Sequence, residues 1–321
     1  MKSIVLALAA AALPAAFPCS AQTYPTKPIR LVVPFAPGGS STIVARSVAA
    51  EMEKALGQSI VIENKGGGGG NLAMHDVSRA DADGYTLIIG HVGSLAMTPY
   101  ITPNLGYDVN KDFVPVSLLA KVPNIFVVHA DVPAKNLREF VALAKSKPGQ
   151  FYYGSAGNGS AGHLAMEYLK LVSGMDLQHV PYKGTGPNLV DLVAGRTHAT
   201  SAGTPPLMPH VKSGKLRVVA VGTPQRLASL PDVATVAEQG YSGFETSQWY
   251  GLNAPAKTPP AIIKRLSDEA AKAVKSAAVI ERFKADDAES VGSSPQDYAQ
   301  FIAKEQARWK EVIQKAGVKA D

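Results

Sequence analysis

Apolar positions along the chain follow two alternating periods. Short β-rich runs, at residues 29–33, 60–62 and 85–89, are separated by stretches in which apolar residues recur every three or four positions. Residues 42–56 show this best: Val44, Val48, Met52 and Leu56 fall four apart, and Gly57 ends the pattern. With the run before them they make a strand–loop–helix unit. A glycine run, Gly66 to Gly70, reads as a flexible surface turn before a short helix after Asn71. Residues 125–128 predict a strand, and a second strand–loop–helix unit follows. It consists of residues 151–153, a glycine and serine loop, and a helix with Leu164, Tyr168 and Val172 on one face, stopped by Gly174. Further strands are expected at 177–180 and 216–221. Residues 245–255 read as an aromatic loop, and three amphipathic helices close the chain at 259–275, 278–284 and 295–315, with no strand between them.

This alternation predicts an α/β protein with largely parallel sheets flanked by helices. A strandless helical tail is expected to pack back onto an earlier sheet, so the chain should cross to a second domain near residue 123 and return near 245. The expected division is 1–21 as a leader, 22–122 with 246–321 as the first domain, and 123–245 as the second; double crossovers of this kind form hinges. Roughly 300 residues after the leader suit two cores better than one.

The leader rests on Lys2, an unbroken apolar run over residues 4–17 and the small residues Cys19, Ser20 and Ala21, which together predict export with cleavage after Ala21. The run is shorter than the roughly 20 residues needed to span a bilayer. Lipidation at Cys19 is the alternative, disfavoured by Phe17 and Pro18 just before it. Because Cys19 is the single cysteine, cleavage would leave no thiol, no disulfide and no cysteine-held metal. A net charge of +6 is spread without a basic cluster interleaved with aromatics, so no nucleic-acid partner is expected.

Candidate chemistry lies in the two loops that open the predicted helices. In the first, Gly38 and Gly39 leave the backbone accessible, and Ser40, Ser41 and Thr42 offer hydroxyls beside the free N–H groups of a helix start, an anion seat without a basic residue. The second, residues 154–160, repeats the recipe with Ser155, Gly157, Asn158, Gly159 and Ser160. Two such helix starts facing each other could grip both ends of a dicarboxylate. No metal site or cofactor is expected: the histidines lack metal-ligand spacing, and the Gly157, Gly159, Gly162 pattern is too weak a nucleotide fingerprint in an exported chain.

Several segments resemble the Bug family, the periplasmic receptors of tripartite tricarboxylate transporters. They include Pro34-Phe35-Ala36-Pro37-Gly38-Gly39-Ser40, the Gly66–Asn71 run before Asp83-Gly84-Tyr85, Tyr153 to Ser160, His179 to Gly184, and Trp249-Tyr250-Gly251-Leu252. The resemblance spans nearly the whole mature chain. It implies a two-domain periplasmic-binding-protein (Venus-flytrap) fold, a small carboxylate held in the interdomain cleft by backbone N–H groups and hydroxyls, and inner-membrane transporter subunits as partners of a monomer. By matching positions it implies contacts from Phe35, Gly38, Gly39, Ser40, Ser155, Gly157, Asn158, Gly159 and Ser160. The segment His91 to Ser94, with Gly93, and the loop Lys183, Gly184, Thr185 and Gly186 would complete the wall.

Two departures from the family pattern bear on the ligand. Many relatives carry Asp where this chain has Thr42, and Asp where it has Ala202 after Ser201. A buried ammonium needs a carboxylate partner, so a di- or tricarboxylate or aromatic acid without an amine is expected. His91 could contact ligand or merely pack, His163 reads as a helix-surface or capping residue, and Trp249 and Tyr250 could line the cleft or brace the hinge. An exported hydrolase and a ligand sensor are the rival readings; no Gly-x-Ser-x-Gly elbow is present for the former.

Overall fold

The computed structural model describes residues 24–316. The leader, its cleavage point and Cys19 lie outside these residues. The strands are β1 (Ile29–Val33), β2 (Ile60–Asn64), β3 (Thr86–His91), β4 (Phe113–His129), β5 (Tyr152–Ser155), β6 (Gln178–Pro181), β7 (Ala199–Gly203), β8 (Leu216–Val221), β9 (Ser247–Pro255) and β10 (Glu289–Ser290). The helices are α1 (Ser40–Leu56), α2 (Asn71–Val77), α3 (Leu137–Ser146), α4 (Ala161–Ser173), α5 (Thr185–Val193), α6 (Thr204–Lys212), α7 (Pro260–Ala273), α8 (Ala277–Ala285) and α9 (Pro295–Ala316). No helix among the described residues is long and apolar enough to cross a membrane.

Both predicted strand–loop–helix units form. Helix α1 buries Val44, Val48, Met52 and Leu56 against β1 and β3, and stops at Gly57, whose left-handed backbone returns its N–H to Glu53 O. Helix α4 stops in the same way at Gly174. Strands β1, β2 and β3 run parallel, as do β5, β6 and β7, because each pair is joined through a helix. Both sheets become mixed through β4 and β9, which run antiparallel to their neighbours.

Strand β4 is the connection between the two sets. Residues 113–123 pair with β9, ending at Pro123 opposite Ser247, and from Asn124 onward the strand pairs with β7 and β8. Sequence reading found only its apolar second part. It also took residues 245–255 for a loop, whereas these residues carry β9, which is central and buried between β3 and β4. The aromatic and small residues there, Trp249, Tyr250 and Gly251, obscured the period-two pattern. Helices α3, α5 and α6 and strand β7 were not anticipated either, and β10, paired with β4 between α8 and α9, corrects the expectation of no strand among the closing helices.

The closing helices α7, α8 and α9 pack onto the β1–β3 side. Trp249 and Trp309 both direct their indole N–H to the buried Glu305 carboxylate of α9, at 2.9 and 3.4 Å. Their apolar cluster also takes in Ala161 and Leu164 from α4, so one core bridges the two sets of strands.

Candidate functional site

The loop from β1 to α1 ends in Gly39, an N-cap without a side-chain hydrogen bond, so the first turn of a 17-residue helix keeps free N–H groups. Asn64 fixes this loop from behind: its Nδ2 donates to Phe35 O and to Thr42 Oγ1, each at 2.8 Å. Thr42 therefore faces the protein body, while Ser40 and Ser41 face the space in front of the helix.

The second loop is braced by a column of stacked rings. Ser155 Oγ accepts from Gly157 N at 3.0 Å and lies 2.7 Å from His179 Nε2, which turns it inward, away from the cleft. The His179 ring lies between Tyr153, at 4.8 Å, and His163, at 4.3 Å. Burial, reinforced by His163 and Lys170, pushes His179 down to about 3, so it is neutral near pH 7. His163 is buried rather than on the helix surface; its Nδ1 accepts from Gly159 N, and its own N–H donates to the capping hydroxyl of Ser160.

Backbone meets backbone where these loops approach each other. Ala36 N–H donates to Lys183 O at 2.9 Å. A Cβ on Gly66 would stand 2.3 Å from Lys183 O, one on Gly69 2.0 Å from Asn158 O, and one on Gly38 3.2 Å from Gly186 Cα. Gly184 packs on Ala36, Gly157 on Gly69 and Tyr182, and Gly159 on Thr98 and Ile101. The run Gly66 to Gly70 is thus not a free surface turn: it forms part of the contact between the two strand sets, and at Gly66 and Gly69 a side chain would occupy the partner backbone's space.

Inside this contact lies a cavity of about 20 Å³. Its lining combines Phe35, Ser40, His91, Ser160, Thr185 and Ala202, all singled out from sequence, with Ser41, Ala156, Ala161, Gly162, Ser201, Gln248 and Tyr250. Gly93 and Ser94 stand behind His91: Gly93 N–H donates to His91 Nδ1 at 2.9 Å and Ser94 hydrogen bonds to the His91 backbone. The proton consequently sits on Nε2, beside the Gly69–Gly70 backbone, and complete burial pushes the imidazole down to about 3, leaving it neutral. Its ring rests on Phe35 at 4.6 Å.

Among the described residues, no Asp, Glu, Lys or Arg lines the cavity. Three helix starts converge on it instead: α1 at Ser40, α4 at Ala161 and α5 at Thr185, whose N-cap Gly184 also lacks a side-chain bond. Each presents roughly half a unit of positive charge, so the space favours anions through backbone dipoles and hydroxyl donors. Tyr250, one of the two residues expected to line the cleft or brace the hinge, is in the cavity lining, and Gln248, which the sequence did not suggest, joins it through the register of β9.

Comparison with known proteins agrees with this geometry. Residues 44–318 match the family model described as tripartite tricarboxylate transporter family receptor. The chain is 36% identical over 305 residues to protein BugT of Bordetella pertussis, covering 95% of this chain and 94% of that one. Among solved structures it resembles R. palustris Rpa4515 with adipate, at 38% identity and TM-score 0.89 over 92% of this chain and 99% of that one. It also resembles MatC from Rhodopseudomonas palustris with bound malate, at 35% identity and TM-score 0.88 over 90% and 100% of the two chains. The fold is that of the periplasmic binding proteins, with BugD at TM-score 0.90. The chain belongs to the tripartite tricarboxylate transporter receptor family.

Proposed function

We propose that this protein is an exported, non-catalytic receptor that captures a small, amine-free carboxylate in the cavity between its two halves and delivers it to the membrane subunits of a tripartite transporter. The observation that carries this reading is the convergence of three helix starts on a hydroxyl-lined cavity without a charged side chain. Adipate and malate in two relatives support the carboxylate class. Ala202 in the lining, and the absence of a carboxylate there, support an acid lacking an ammonium group.

Capture works by closure. A cavity of about 20 Å³ has room for about one water, so an acid enters when the halves part. The partner exchange of β4 at Pro123 and Asn124 and the start of β9 at Ser247 support a hinge there, with 22–122 and 246–321 as one half and 123–245 as the other. A ligand touching the helix starts on both sides binds the closed state better and shifts the population towards it. The hydroxyls of Ser40, Ser41, Ser160 and Thr185 and the N–H groups at the starts of α1 and α5 take the anion, and the closed monomer is the form the transporter reads. The Ser155–His179 contact has the elements of a nucleophile and base, but Ser155 is not among the residues lining the cavity, which argues against a hydrolase.

A thermal-shift screen of aliphatic, hydroxy, tricarboxylic and aromatic acids tests the reading. At least one amine-free acid should raise Tm in a concentration-dependent way, and the labelled acid should be recovered chemically unchanged. Turnover, or stabilisation by amino acids alone, would contradict it.

A further inference from the structure

The cavity floor carries a buried chain of side-chain hydrogen bonds that runs across the junction of the two halves. Tyr250 O–H donates to Gln248 Oε1. Gln248 Nε2 donates to Asn124 Oδ1 at 2.6 Å, and Asn124 Nδ2 donates to Ser201 Oγ at 2.9 Å. All four side chains are buried. Asn124 and Gln248 stand on β4 and β9 where these strands cross, Ser201 is on β7, and Tyr250 adjoins Ser40 at the start of α1. Three of the four, Ser201, Gln248 and Tyr250, line the cavity.

The chain has one sense. Each amide spends its carbonyl on the donor before it and an N–H on the acceptor after it, so Ser201 can only accept from Asn124. A hydroxyl has a single proton, and among the described residues no acceptor takes the one on Ser201. That proton is free for whatever fills the floor. Next to it stands Ala202, which offers a methyl group, and the Gln248 carbonyl is already engaged. The floor therefore presents a neutral donor and no carboxylate to partner an ammonium.

Resting on the carboxylate reading above, we propose that the Tyr250–Gln248–Asn124 chain is a specificity device: it commits Ser201 to donating, and so selects acids whose far end is an oxygen acceptor over acids of equal length ending in a methyl group. Ser201 contacts the ligand; Asn124, Gln248 and Tyr250 are positioning residues. Breaking the chain at Tyr250 leaves Gln248 Oε1 without its donor, frees both amides to turn over, and lets Ser201 give its proton to Asn124 instead.

Titration calorimetry with succinate and butyrate, on the wild type, Ser201→Ala, Tyr250→Phe and the double variant, tests the inference, with Tm confirming that each folds. Gln248→Met replaces Tyr250→Phe if the latter does not fold. Succinate should bind the wild type at least about tenfold tighter than butyrate, and Ser201→Ala should bring the two within about twofold, the loss of one buried hydrogen bond. In the Tyr250→Phe background the same Ser201→Ala change should cost succinate much less. A purely structural role for Tyr250 would leave that cost unaltered, and additive effects, or a wild type that binds both acids equally, overturn the inference while leaving the carboxylate reading intact. Failure of every acid to bind the wild type overturns both.

Discussion

His91 illustrates how burial alone sets a residue's behaviour at this site. The ring is enclosed, accepts from Gly93 N–H and is pushed down to about 3, whereas in the unfolded chain it titrates near the ordinary 6.5. As pH falls below about 6.5 the unfolded chain takes up a proton that the folded chain refuses, so stability drops from there towards pH 3 and is unaffected above it. One such histidine gives a slope of at most about 1.4 kcal/mol per pH unit. Between pH 6.5 and 5 denaturation midpoints should decline, His91 and His179 both contributing, and His91→Gln should make the decline shallower without removing it; an unchanged slope contradicts this assignment. Thr42 offers a second test at this scale. Since its hydroxyl meets Asn64 rather than the cavity, Thr42→Val should cost about 1 kcal/mol of stability in urea unfolding and leave ligand affinity unaltered. Ser40 and Ser160 stood out in the sequence because a hydroxyl at a helix start is a local feature, whereas none of the glycines expected as contacts is in the cavity lining. Thr42 was placed on the right loop but facing the wrong way, since its orientation depends on Asn64, 22 positions further on.

Among the elements, the glycine run Gly66 to Gly70 does what no other segment could. Gly69 sits at φ 61° with Asn158 O where a Cβ would be, and Gly66 lies equally close to Lys183 O without that backbone requirement. Gly66→Ala and Gly69→Ala should both hold the halves apart, lowering acid affinity at least about tenfold while the far-UV circular dichroism spectrum stays that of the wild type. Normal affinity in both variants would show that the contact does not belong to the closed, liganded form. Gly66→Ala meets Lys183 O across the junction and Ala36 N of its own half, whereas Gly69→Ala also strains its own left-handed backbone, so the contrast separates steric contact from backbone strain. Strands and helices with clean periodicity, β1, α1, α4 and the three closing helices, were legible. The 17-residue β4 and the central β9 were not: β4 changes partners midway, and β9 is buried at nearly every residue, so it shows no period of two. With β9 went Gln248, which shares the cavity floor with Tyr250 and Ser201 only through strand register.

At the scale of the whole molecule, two sets of strands joined through β4 and β9 enclose an uncharged, donor-rich cavity, and one apolar core with the Trp249–Glu305–Trp309 contact bridges them. Parting the halves must disturb that bridge, so the two tryptophans, the only ones in the chain, should report closure: a saturating acid should change intrinsic fluorescence and reduce the radius of gyration together. Fluorescence that responds without compaction would separate binding from domain movement. The two-domain α/β plan was readable from the alternation of periods, although the tail expected to be strandless carries β10 between α8 and α9, whereas the cavity's lack of charge emerged only once distant residues were placed together.

The central claim is that backbone dipoles and hydroxyls bind an acid and leave no place for an amine. Titration calorimetry of succinate against aspartate, which differ by one ammonium group, tests it most directly. Succinate should bind and aspartate should be at least about a hundredfold weaker, the difference expected for an unpaired buried charge of a few kcal/mol. Aspartate binding as tightly as succinate, or succinate inert while aspartate binds, would contradict the account.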